Sequence, residues 1–350
     1  MSIKNIFVTG AGALVGMGIL RSIRGSELGV NIITGDPDYL APGHVLGDKS
    51  YVLEMADSPT YINNLSEIIQ EEEIDLLIVG TDIELPVIAE SVDIISCPVL
   101  ISSPEVVEIA DSKLKTANFL KEHGFEYAQT AKASNTENLL QLINNFGFPL
   151  FIKPNRGRRS IGAKRVNSLK EILDLEEETP GLIVQEYLPE TDGEFTSGCL
   201  VFNKCKSIIT LKRQLRDGNT FRASCDKLNY KGLSDYIVQV ANALKPTGPV
   251  NFQFRIRDNK PVIFEINARF SGTTPIRTFI GYNEVEHAIN FFLYKKDVPP
   301  VGELIDATIM RVTGDVLVPN VELEMFKKLG YSEMLPNVSW FLHKDTFTVI

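Results

Sequence analysis

Two neighbouring segments, 251–256 and 262–267, alternate between polar and apolar side chains, and their polar members have the chemistry of metal ligands. Period-2 alternation predicts two strands, and the polar stretch between them predicts a hairpin. Gln253 is expected directly opposite Glu265, with Cβ atoms about 5 Å apart, and Asn267 lies on the same face. One carboxylate with amide oxygens suits a hard divalent cation that completes its shell with phosphate oxygens and water. The pattern favours Mg²⁺ bound with a nucleotide, with Mn²⁺ as an alternative ion.

The expected register depends on the loop of this hairpin. A three-residue loop, 258–260, sets Phe254 opposite Phe264 on the apolar face and Asn251 opposite Asn267. The asparagine in the middle of the loop can adopt a positive φ there. We therefore predict that three oxygen-bearing side chains converge on one small patch.

A solvated polar hairpin face is the alternative interpretation of the same residues. Arg269, two residues further along the same face, favours the metal site. A cation beside metal ligands is repelled unless an anion lies between them, and a phosphate group supplies that anion. Arg269 is therefore expected to contact a phosphoryl group.

A basic, glycine-bearing stretch, FPLFIKPNRGRRSIGAKRV at 148–166, follows a predicted strand. Lys153 is near the end of that strand, and the loop after it runs from Gly157 to Gly162. Such a loop can fold over phosphates with its backbone N–H groups, while a basic surface hairpin is the alternative. No GxxxxGK[ST] motif is present, so this is not a Walker P-loop.

Composition excludes several classes of function. The 350 residues carry a formal charge of −10 without a basic block, so a nucleic-acid partner is not expected. The four cysteines form no CxxC pair and the four histidines form no HExxH motif, which argues against zinc and disulfide frameworks. There is no apolar signal core and no apolar run near the ~18 residues of a membrane span, so a cytoplasmic protein without membrane contact is expected.

The order of predicted elements indicates two fold types in succession. Strands alternate with helices over the first hundred residues, which predicts an α/β Rossmann-like domain with a doubly wound parallel sheet. Antiparallel signals dominate from about residue 149, which predicts an α+β region. A Ser cap followed by Pro at 103–104 marks the first boundary. We predict domains at 1–102 and 103–300, and a C-terminal extension at 301–350 to which the sequence assigns no chemistry.

The sequence VTGAGALVG at 8–16 ends a strand and opens a helix, and Asp36 ends the next strand. This arrangement is typical of a dinucleotide site, although the spacing is GxGxxxG rather than GxGxxG. The alternative is that the glycines only let the strand turn tightly into a helix packed against it. An NAD(P)-dependent oxidoreductase is therefore retained as a hypothesis from another class.

Several motifs occur in the order of a known family: a lysine in DSKLKTANFL, Lys153 with its loop, QEYLPETDGEF, and NFQFRIRDNKPVIFEINARF. Together they resemble the ATP-grasp superfamily, in particular the branch with the carbamoyl phosphate synthetase large subunit and the pyrrolysine-pathway ligase. The N-terminal VTGAGALVG and GTDIEL resemble the pre-ATP-grasp domain of that branch. The resemblance covers about residues 1 to 300, and the paired Q…E-x-N-x-R ending is its most specific part.

The resemblance implies roles for individual residues. ATP would be bound by Lys113, Lys153, Gly157, Arg159, Ser160, Gly162, Glu186, Tyr187, Leu188 and Glu194. Of these, Glu186, Tyr187 and Leu188 would meet the adenine edge, largely through backbone atoms, and Glu194 would hold the ribose hydroxyls. Mg²⁺ would be bound by Gln253, Glu265 and Asn267. The predicted catalytic residues are Arg269, which would stabilise the transferred phosphoryl group, and Lys153, which would contact nucleotide phosphates and lie near the adenine. The chain departs from the family at Ser112, where an Asp is usual, and at Gly198, where an acid often follows Glu194.

We therefore expect an ATP-dependent carboxylate–amine ligase that acts through an acyl phosphate on small-molecule substrates. Candidate anchors for the substrate carboxylate are Arg213, Arg222 and Arg277, because a carboxylate favours a bidentate cation. A kinase, or a ligase to another nucleophile, is the alternative within the fold, and a non-catalytic nucleotide-binding module needs only the adenine contacts. A homodimer is expected by analogy alone.

Overall fold

Three sheets of four or more strands organise the part of the chain that is described, which is residues 3–157, 161–312, 315–333 and 339–341 of a computed structural model. The first hundred residues form an α/β layer, the N-terminal layer, and antiparallel sheets follow it in the chain, as the alternation of elements predicts. No helix within these ranges has the length and apolar character needed to cross a membrane.

The first sheet is parallel except for one edge strand, with the order β17-β3-β2-β1-β4-β5. Its strands are β1 (Asn5–Thr9), β2 (Asn31–Asp36), β3 (Lys49–Val52), β4 (Leu76–Ile78), β5 (Val99–Leu100) and β17 (Tyr331–Glu333). Its helices are α1 (Leu14–Arg24), α2 (Tyr61–Glu71) and α3 (Leu85–Glu90), with 3₁₀ turns at Pro42–Leu46 and Val92–Ile94. The doubly wound sheet is therefore confirmed, with β17 added from the C-terminal segment.

Glycines in the first turn have a packing function. Gly10 has φ +61°, and a Cβ on Gly16 would lie 2.0 Å from the Gly10 carbonyl oxygen. The carboxylate of Asp36 accepts hydrogen bonds from the backbone N–H groups of Gly12 at 2.8 Å and Asp38 at 2.9 Å. A dinucleotide would need an acid at the end of β2, and Asp36 at that position instead binds backbone N–H groups of the turns after β1 and β2.

A four-stranded antiparallel sheet, with the order β6-β9-β7-β8, and its two helices form a small α+β unit. The strands are β6 (Thr130–Lys132), β7 (Leu150–Pro154), β8 (Lys164–Val166) and β9 (Leu182–Glu186), and the helices are α6 (Thr136–Phe146) and α7 (Leu169–Glu178). Both helices pack apolar side chains on one face of the sheet. The opposite face of the sheet lines the cavity described in the next subsection.

The largest antiparallel sheet has the order β14-β13-β10-β11-β12-β15. Its strands are β10 (Glu194–Phe202), β11 (Lys204–Arg216), β12 (Asn219–Cys225), β13 (Gly248–Arg257), β14 (Lys260–Asn267) and β15 (Thr308–Met310). The helices around it are α4 (Pro104–Asp111), α5 (Lys113–Glu122), α8 (Lys231–Leu244), α9 (Thr274–Phe279) and α10 (Glu284–Tyr294). An apolar cluster that includes Ile19, Leu200 and Ile289 joins this sheet to the N-terminal layer.

The segment after residue 300 adds edge strands to two sheets, through β15 and β17, and also contains α11 (Asn320–Leu329), β16 (Asp315–Leu317) and β18 (Ser339–Phe341). Phe326 of α11 is buried against the His44 ring, with ring centroids 5.0 Å apart. The segment that the sequence left without a role thus packs on the N-terminal sheet.

The hairpin between β13 and β14 corrects one expectation. Asp258 and Asn259 both have positive φ, so the turn has two residues and Arg257 pairs with Lys260. Phe254 consequently lies opposite Ile263, and its predicted pairing with Phe264 is wrong. A register shift then adds one residue on β14, as a β-bulge does.

Because of this shift, the polar ends of both strands return to the predicted register. Gln253 pairs with Glu265 and Asn251 pairs with Asn267, as expected. Phe264 leaves the apolar core face and packs with Leu188 instead.

Candidate active site

A cavity of about 640 Å³ lies where the two antiparallel sheets meet the N-terminal layer. Its walls include Lys153 of β7, Glu265 of β14 and Thr81 from the loop after β4. Other polar residues of the walls are Asp82, Lys113, Gln185, Glu186, Glu194, Arg213, Asn251, Gln253, Arg255, Arg269, Ser271 and Thr273. The volume is that of a small-molecule site.

The three predicted metal ligands meet at one oxygen. Gln253 Nε2 and Asn267 Nδ2 each donate to Glu265 Oε1 at 3.1 Å. Within the described residues no cluster of three His, Cys, Asp or Glu side chains occurs, so this mixed acid and amide set is the candidate for a metal. The structure therefore brings together the side chains that the hairpin register predicted.

Two arginines bind the amide oxygens of this set. Arg213 Nη2 donates to Gln253 Oε1, and Arg269 Nη2 donates to Asn267 Oδ1 at 3.0 Å. In this arrangement the amide N–H groups face Glu265. A metal ion at Glu265 would require both amide groups to turn, so that their oxygens face the ion in place of the N–H groups.

The donor set fits Mg²⁺. It offers one carboxylate and two amide groups on adjacent strands, and among the described residues no hydrogen bond reaches Glu265 Oε2. Hard oxygen donors in small number are what Mg²⁺ accepts when phosphate oxygens and water complete its shell.

Two lysines line the cavity near the metal set. Lys113, the first residue of α5, donates through Nζ to the Gly157 carbonyl oxygen at 2.9 Å. Lys153 Nζ lies 5.6 Å from the centroid of the Phe264 ring. The pKa of Lys153 is lowered to about 8, mainly by burial; the charge of Glu265 opposes this shift, and the charge of Lys113 contributes to it. An anion in the cavity would restore the charged form of this lysine.

The residues between β7 and the basic loop are tied to α4 and to the start of α5. Asn155 Oδ1 accepts from Ser112 Oγ at 3.1 Å and from the Leu114 N–H at 3.0 Å. Arg156 pairs with Asp111 and Glu108 of α4. Ser112, which departs from the family pattern, therefore joins helix and loop.

The later part of the loop is only partly described. Gly157 lines the cavity, and Gly162 has φ +72°. Arg159 and Ser160, predicted to contact phosphates, lie outside the described residues.

The end of β9 and the residues after it form another wall of the cavity through Glu186, Tyr187 and Leu188. The Glu186 carboxylate binds Arg257 and the backbone N–H of Gln129, at 2.9 Å for the latter. Burial raises the pKa of Glu186. Because its side chain is occupied, an adenine contact of Glu186 would use backbone atoms, as the resemblance implies.

Glu194 lies between two arginines. Its Oε1 accepts from Arg213 Nε at 3.0 Å and Nη2 at 2.7 Å, and its Oε2 accepts from Arg255 Nη2 at 3.0 Å. Arg255 also donates to the Leu188 carbonyl oxygen. A ribose bound by Glu194 would share this carboxylate with both guanidinium groups.

The three candidate substrate arginines occupy different environments. Arg213 lines the cavity and is bound to Glu194, as described above. Arg222 pairs with Gln214, the neighbour of Arg213, so its side chain points to the other face of the sheet, and it is exposed. Arg277 is fully buried behind the cavity wall.

Arg277 supports two residues of the cavity wall. Its guanidinium donates to Asn251 Oδ1 at 3.1 Å and to Ser271 Oγ at 3.1 Å, and Nη1 lies 3.3 Å from Glu284 Oε1. A Cβ on Gly198 would lie 2.0 Å from Arg277 Nη2. Gly198, the second departure from the family pattern, thus makes room for the buried guanidinium group of Arg277.

Sequence reasoning missed several residues of the cavity, and three of them bear directly on the site. Phe264 was placed in the core because strict alternation cannot reveal a bulge. Arg255 lies two residues after Gln253 on the same strand, and that spacing was the available signal. Asp82 binds Arg269 at 2.7 Å (Nε to Oδ1), across 187 residues, and nothing local in the sequence indicates this pair. Asp82 also supplies the negative charge beside Arg269 that was attributed to phosphate alone.

Sequence profiles of three known families match successive parts of the chain. The profile "PylC-like, N-terminal domain" matches residues 6–97, and "RimK-like ATP-grasp domain" matches residues 110–241. The profile "ATP-grasp in the biosynthetic pathway with Ter operon" matches residues 178–313.

Curated relatives include carbamoyl phosphate synthase large chains. That of Thermoanaerobacter sp. is 21% identical over 320 residues, which are 84% of this chain and 29% of the relative. The arginine-specific large chain of Bacillus subtilis is 21% identical over 295 residues, 78% of this chain and 28% of the relative. The chain thus spans about three tenths of the length of these relatives.

Solved structures share the fold. N5-carboxyaminoimidazole synthetase from Staphylococcus aureus, complexed with ADP, has a TM-score of 0.71 at 15% identity, with 89% of this chain and 83% of that chain covered. The biotin carboxylase domain of Hydrogenobacter thermophilus 2-oxoglutarate carboxylase, solved with MgADP, ADP and bicarbonate, has a TM-score of 0.67 at 13% identity, with 85% and 71% covered.

Proposed function

We propose that this chain, which belongs to the ATP-grasp superfamily, is a Mg²⁺-dependent carboxylate–amine ligase that acts through an acyl phosphate. The observation that carries the proposal is the convergence of Glu265, Gln253 and Asn267 in one cavity with the buried Lys113 and Lys153. Anionic phosphates and a cation are the ligands that such a combination can neutralise.

The residues of the two sheets would divide the work of binding ATP. Lys113 and Lys153 would neutralise phosphate oxygens, and Tyr187 and Leu188 would contact the adenine. Glu194 would hold the ribose hydroxyls. The metal ion, when bound by the Glu265 set, would polarise the phosphates and offset their charge.

The reaction would proceed in two transfers. A carboxylate oxygen of the substrate attacks the γ-phosphorus, ADP leaves, and Arg269 stabilises the charge on the transferred phosphoryl group. The amine then attacks the carbonyl carbon, phosphate leaves with the bonding pair, and the amine nitrogen loses its proton. Fixing the reactants in line contributes about 7–11 kcal/mol to lowering the barrier.

The substrates would enter the end of the cavity lined by Thr81, Asp82, Ser271 and Thr273. Its mixture of hydroxyl and charged groups suits small polar molecules. Phosphoryl transfer to another nucleophile, as in a kinase, uses the same ATP site.

The test of the proposed function is an ADP-release screen. Wild-type protein with ATP and Mg²⁺ is incubated with pairs drawn from amino acids, sugar acids and small amines, and ADP and phosphate are both measured. A ligase releases both only when an acid and an amine are present, whereas a kinase releases ADP without phosphate. ATP binding without ADP release in any mixture would instead indicate a non-catalytic nucleotide-binding module.

Titration with NADH or NADPH tests the oxidoreductase hypothesis. Because Asp36 binds the turn at Gly12, we expect no nicotinamide nucleotide to bind at the N-terminal layer.

Three further statements stay predictions. The domain limits 1–102, 103–300 and 301–350 are testable by limited proteolysis. The homodimer is testable by sedimentation, and the cytoplasmic location by cell fractionation.

A further inference from the structure

Arg269 forms a two-point ion pair with an acid from the N-terminal layer. Arg269 Nε lies 2.7 Å from Asp82 Oδ1, and Nη2 lies 3.0 Å from Oδ2. Two parallel hydrogen bonds fix the plane of a guanidinium as well as its position. Both side chains are partly buried, with 12% and 22% exposed, so water screens the pair less than it screens a surface ion pair.

The remaining donors of Arg269 connect this pair to the metal set. Nη1 donates to the Phe270 carbonyl oxygen at 2.8 Å, and Nη2 donates to Asn267 Oδ1 at 3.0 Å. Asp82, Arg269, Asn267 and Glu265 therefore form one continuous chain of hydrogen bonds. Asp82 is contributed by the loop between β4 and α3 of the N-terminal layer.

The loop that carries Asp82 is itself anchored. The Glu84 carboxylate is buried and accepts from Tyr61 OH at 2.6 Å, Thr81 Oγ1 at 2.7 Å and Thr9 Oγ1 at 3.0 Å. These donors come from α2, from the loop itself and from the end of β1. The loop is thus held on both sides of Asp82 by the core of the N-terminal layer.

Close backbone packing adds to this anchorage. A Cβ on Gly80 would lie 2.1 Å from the Thr9 carbonyl oxygen, and a Cβ on Gly10 would lie 2.2 Å from Thr81 Cγ2. The glycines of GTDIEL and VTGAGALVG therefore let two turns touch. This contact positions the loop at the cavity.

We propose that Asp82 is a positioning residue that holds the Arg269 guanidinium at the site of phosphoryl transfer. The inference rests on the proposed function, because it needs Arg269 to act on the transferred phosphoryl group. It assigns the N-terminal layer a part in catalysis beyond lining the cavity. The Glu84 network is the rigid support from which Asp82 acts.

The test compares ground-state and transition-state affinity in Asp82→Asn, which keeps the side-chain size and removes its charge. Binding of Mg·ADP and of Mg·ADP with aluminium fluoride, a mimic of the transferred phosphoryl group, is measured by calorimetry. We expect Asp82→Asn to bind Mg·ADP within about twofold of wild type and the fluoride complex about tenfold to a hundredfold more weakly. A merely structural role would weaken both equally.

A double-mutant cycle with Arg269→Ala isolates the pair. If Asp82 acts through Arg269, Asp82→Asn causes no further loss of fluoride-complex affinity in the Arg269→Ala background. Asp93→Asn, an exposed acid of the same layer, is the matched control and should match wild type.

The outcomes separate the two proposals. Wild type that binds neither nucleotide complex contradicts the proposed function and this inference with it. Wild type that binds both, with Asp82→Asn unchanged or with additive losses in the cycle, overturns only the positioning role.

Discussion

Gln253 and Glu265 face each other across the β13–β14 pair, and Gln253 Nε2 donates to Glu265 Oε1 at 3.1 Å. This contact is the centre of the site, because Asn267 reaches the same oxygen and the two arginines bind the amide oxygens behind it. A bulge on β14 restores the register that a two-residue turn would have shifted. The chemistry of the cavity thus depends on one extra residue in a strand.

Nucleotide binding should take up a proton at Lys153. Its pKa in the free protein is lowered to about 8 by burial, so about half of these lysines are neutral at pH 8. Phosphate favours the charged form and raises that pKa. At pH 8 we expect uptake of up to about half a proton per Mg·ADP, and weaker binding as the pH rises above 8.

Calorimetry in buffers of different ionisation enthalpy measures this uptake. We expect Lys153→Met to take up fewer protons than wild type on binding Mg·ADP. Lys121→Met, which changes an exposed lysine on α5, should take up as many as wild type. Equal uptake by wild type and Lys153→Met at pH 8 would show that another group titrates.

Gly198→Ala should destabilise the protein through Arg277. The new methyl group would lie 2.0 Å from Nη2, and the guanidinium cannot withdraw without losing its bonds to Asn251 and Ser271. We expect a loss of about 2–4 kcal/mol in the free energy of unfolding, measured with urea.

The matched control for this change is Gly232→Ala in α8, where no atom lies within 4 Å of the added Cβ. Alanine favours a helix over glycine, so its effect should be neutral or stabilising by up to about 1 kcal/mol. Equal behaviour of the two variants would argue against the close contact at Gly198.

Glu84→Ala should also lower stability, because it leaves the hydroxyls of Tyr61 and Thr9 buried without an acceptor. The expected loss is about 2–5 kcal/mol in the free energy of unfolding. Glu67→Ala, on the exposed face of α2, should remain within about 0.5 kcal/mol of wild type. A Glu84→Ala protein as stable as this control would mean that the network contributes little.

Local patterns were enough to predict much of the fold. Alternating strands and helices gave the parallel sheet, and period-2 segments gave the main antiparallel strands, because both periodicities follow from backbone geometry. Short strands such as β5 and β8, with two and three residues, carry too few side chains to show a period.

The candidate site could be predicted only where its residues follow one another in sequence. Gln253, Glu265 and Asn267 were found because one hairpin carries them. The partner of Arg269 and the burial of Arg277 depend on tertiary packing between distant segments, which no local spacing encodes. The exposed position of Arg222 could not be predicted either, because the irregularity between Gln214 and Leu215 decides which face of the sheet its side chain occupies.

The most direct test of the account is the Mg²⁺ dependence of nucleotide binding in Glu265→Gln. Calorimetric titration with ADP, with and without Mg²⁺, is compared for wild type, this variant and Glu178→Gln, an exposed acid at the end of α7. We predict that Mg²⁺ strengthens ADP binding to wild type and to Glu178→Gln. In Glu265→Gln we predict that the affinity for Mg²⁺ falls by about 100-fold or more, which corresponds to about 2.8 kcal/mol of binding free energy. Unchanged Mg²⁺ dependence in Glu265→Gln would contradict the proposal that Glu265 binds the Mg²⁺ of the nucleotide complex.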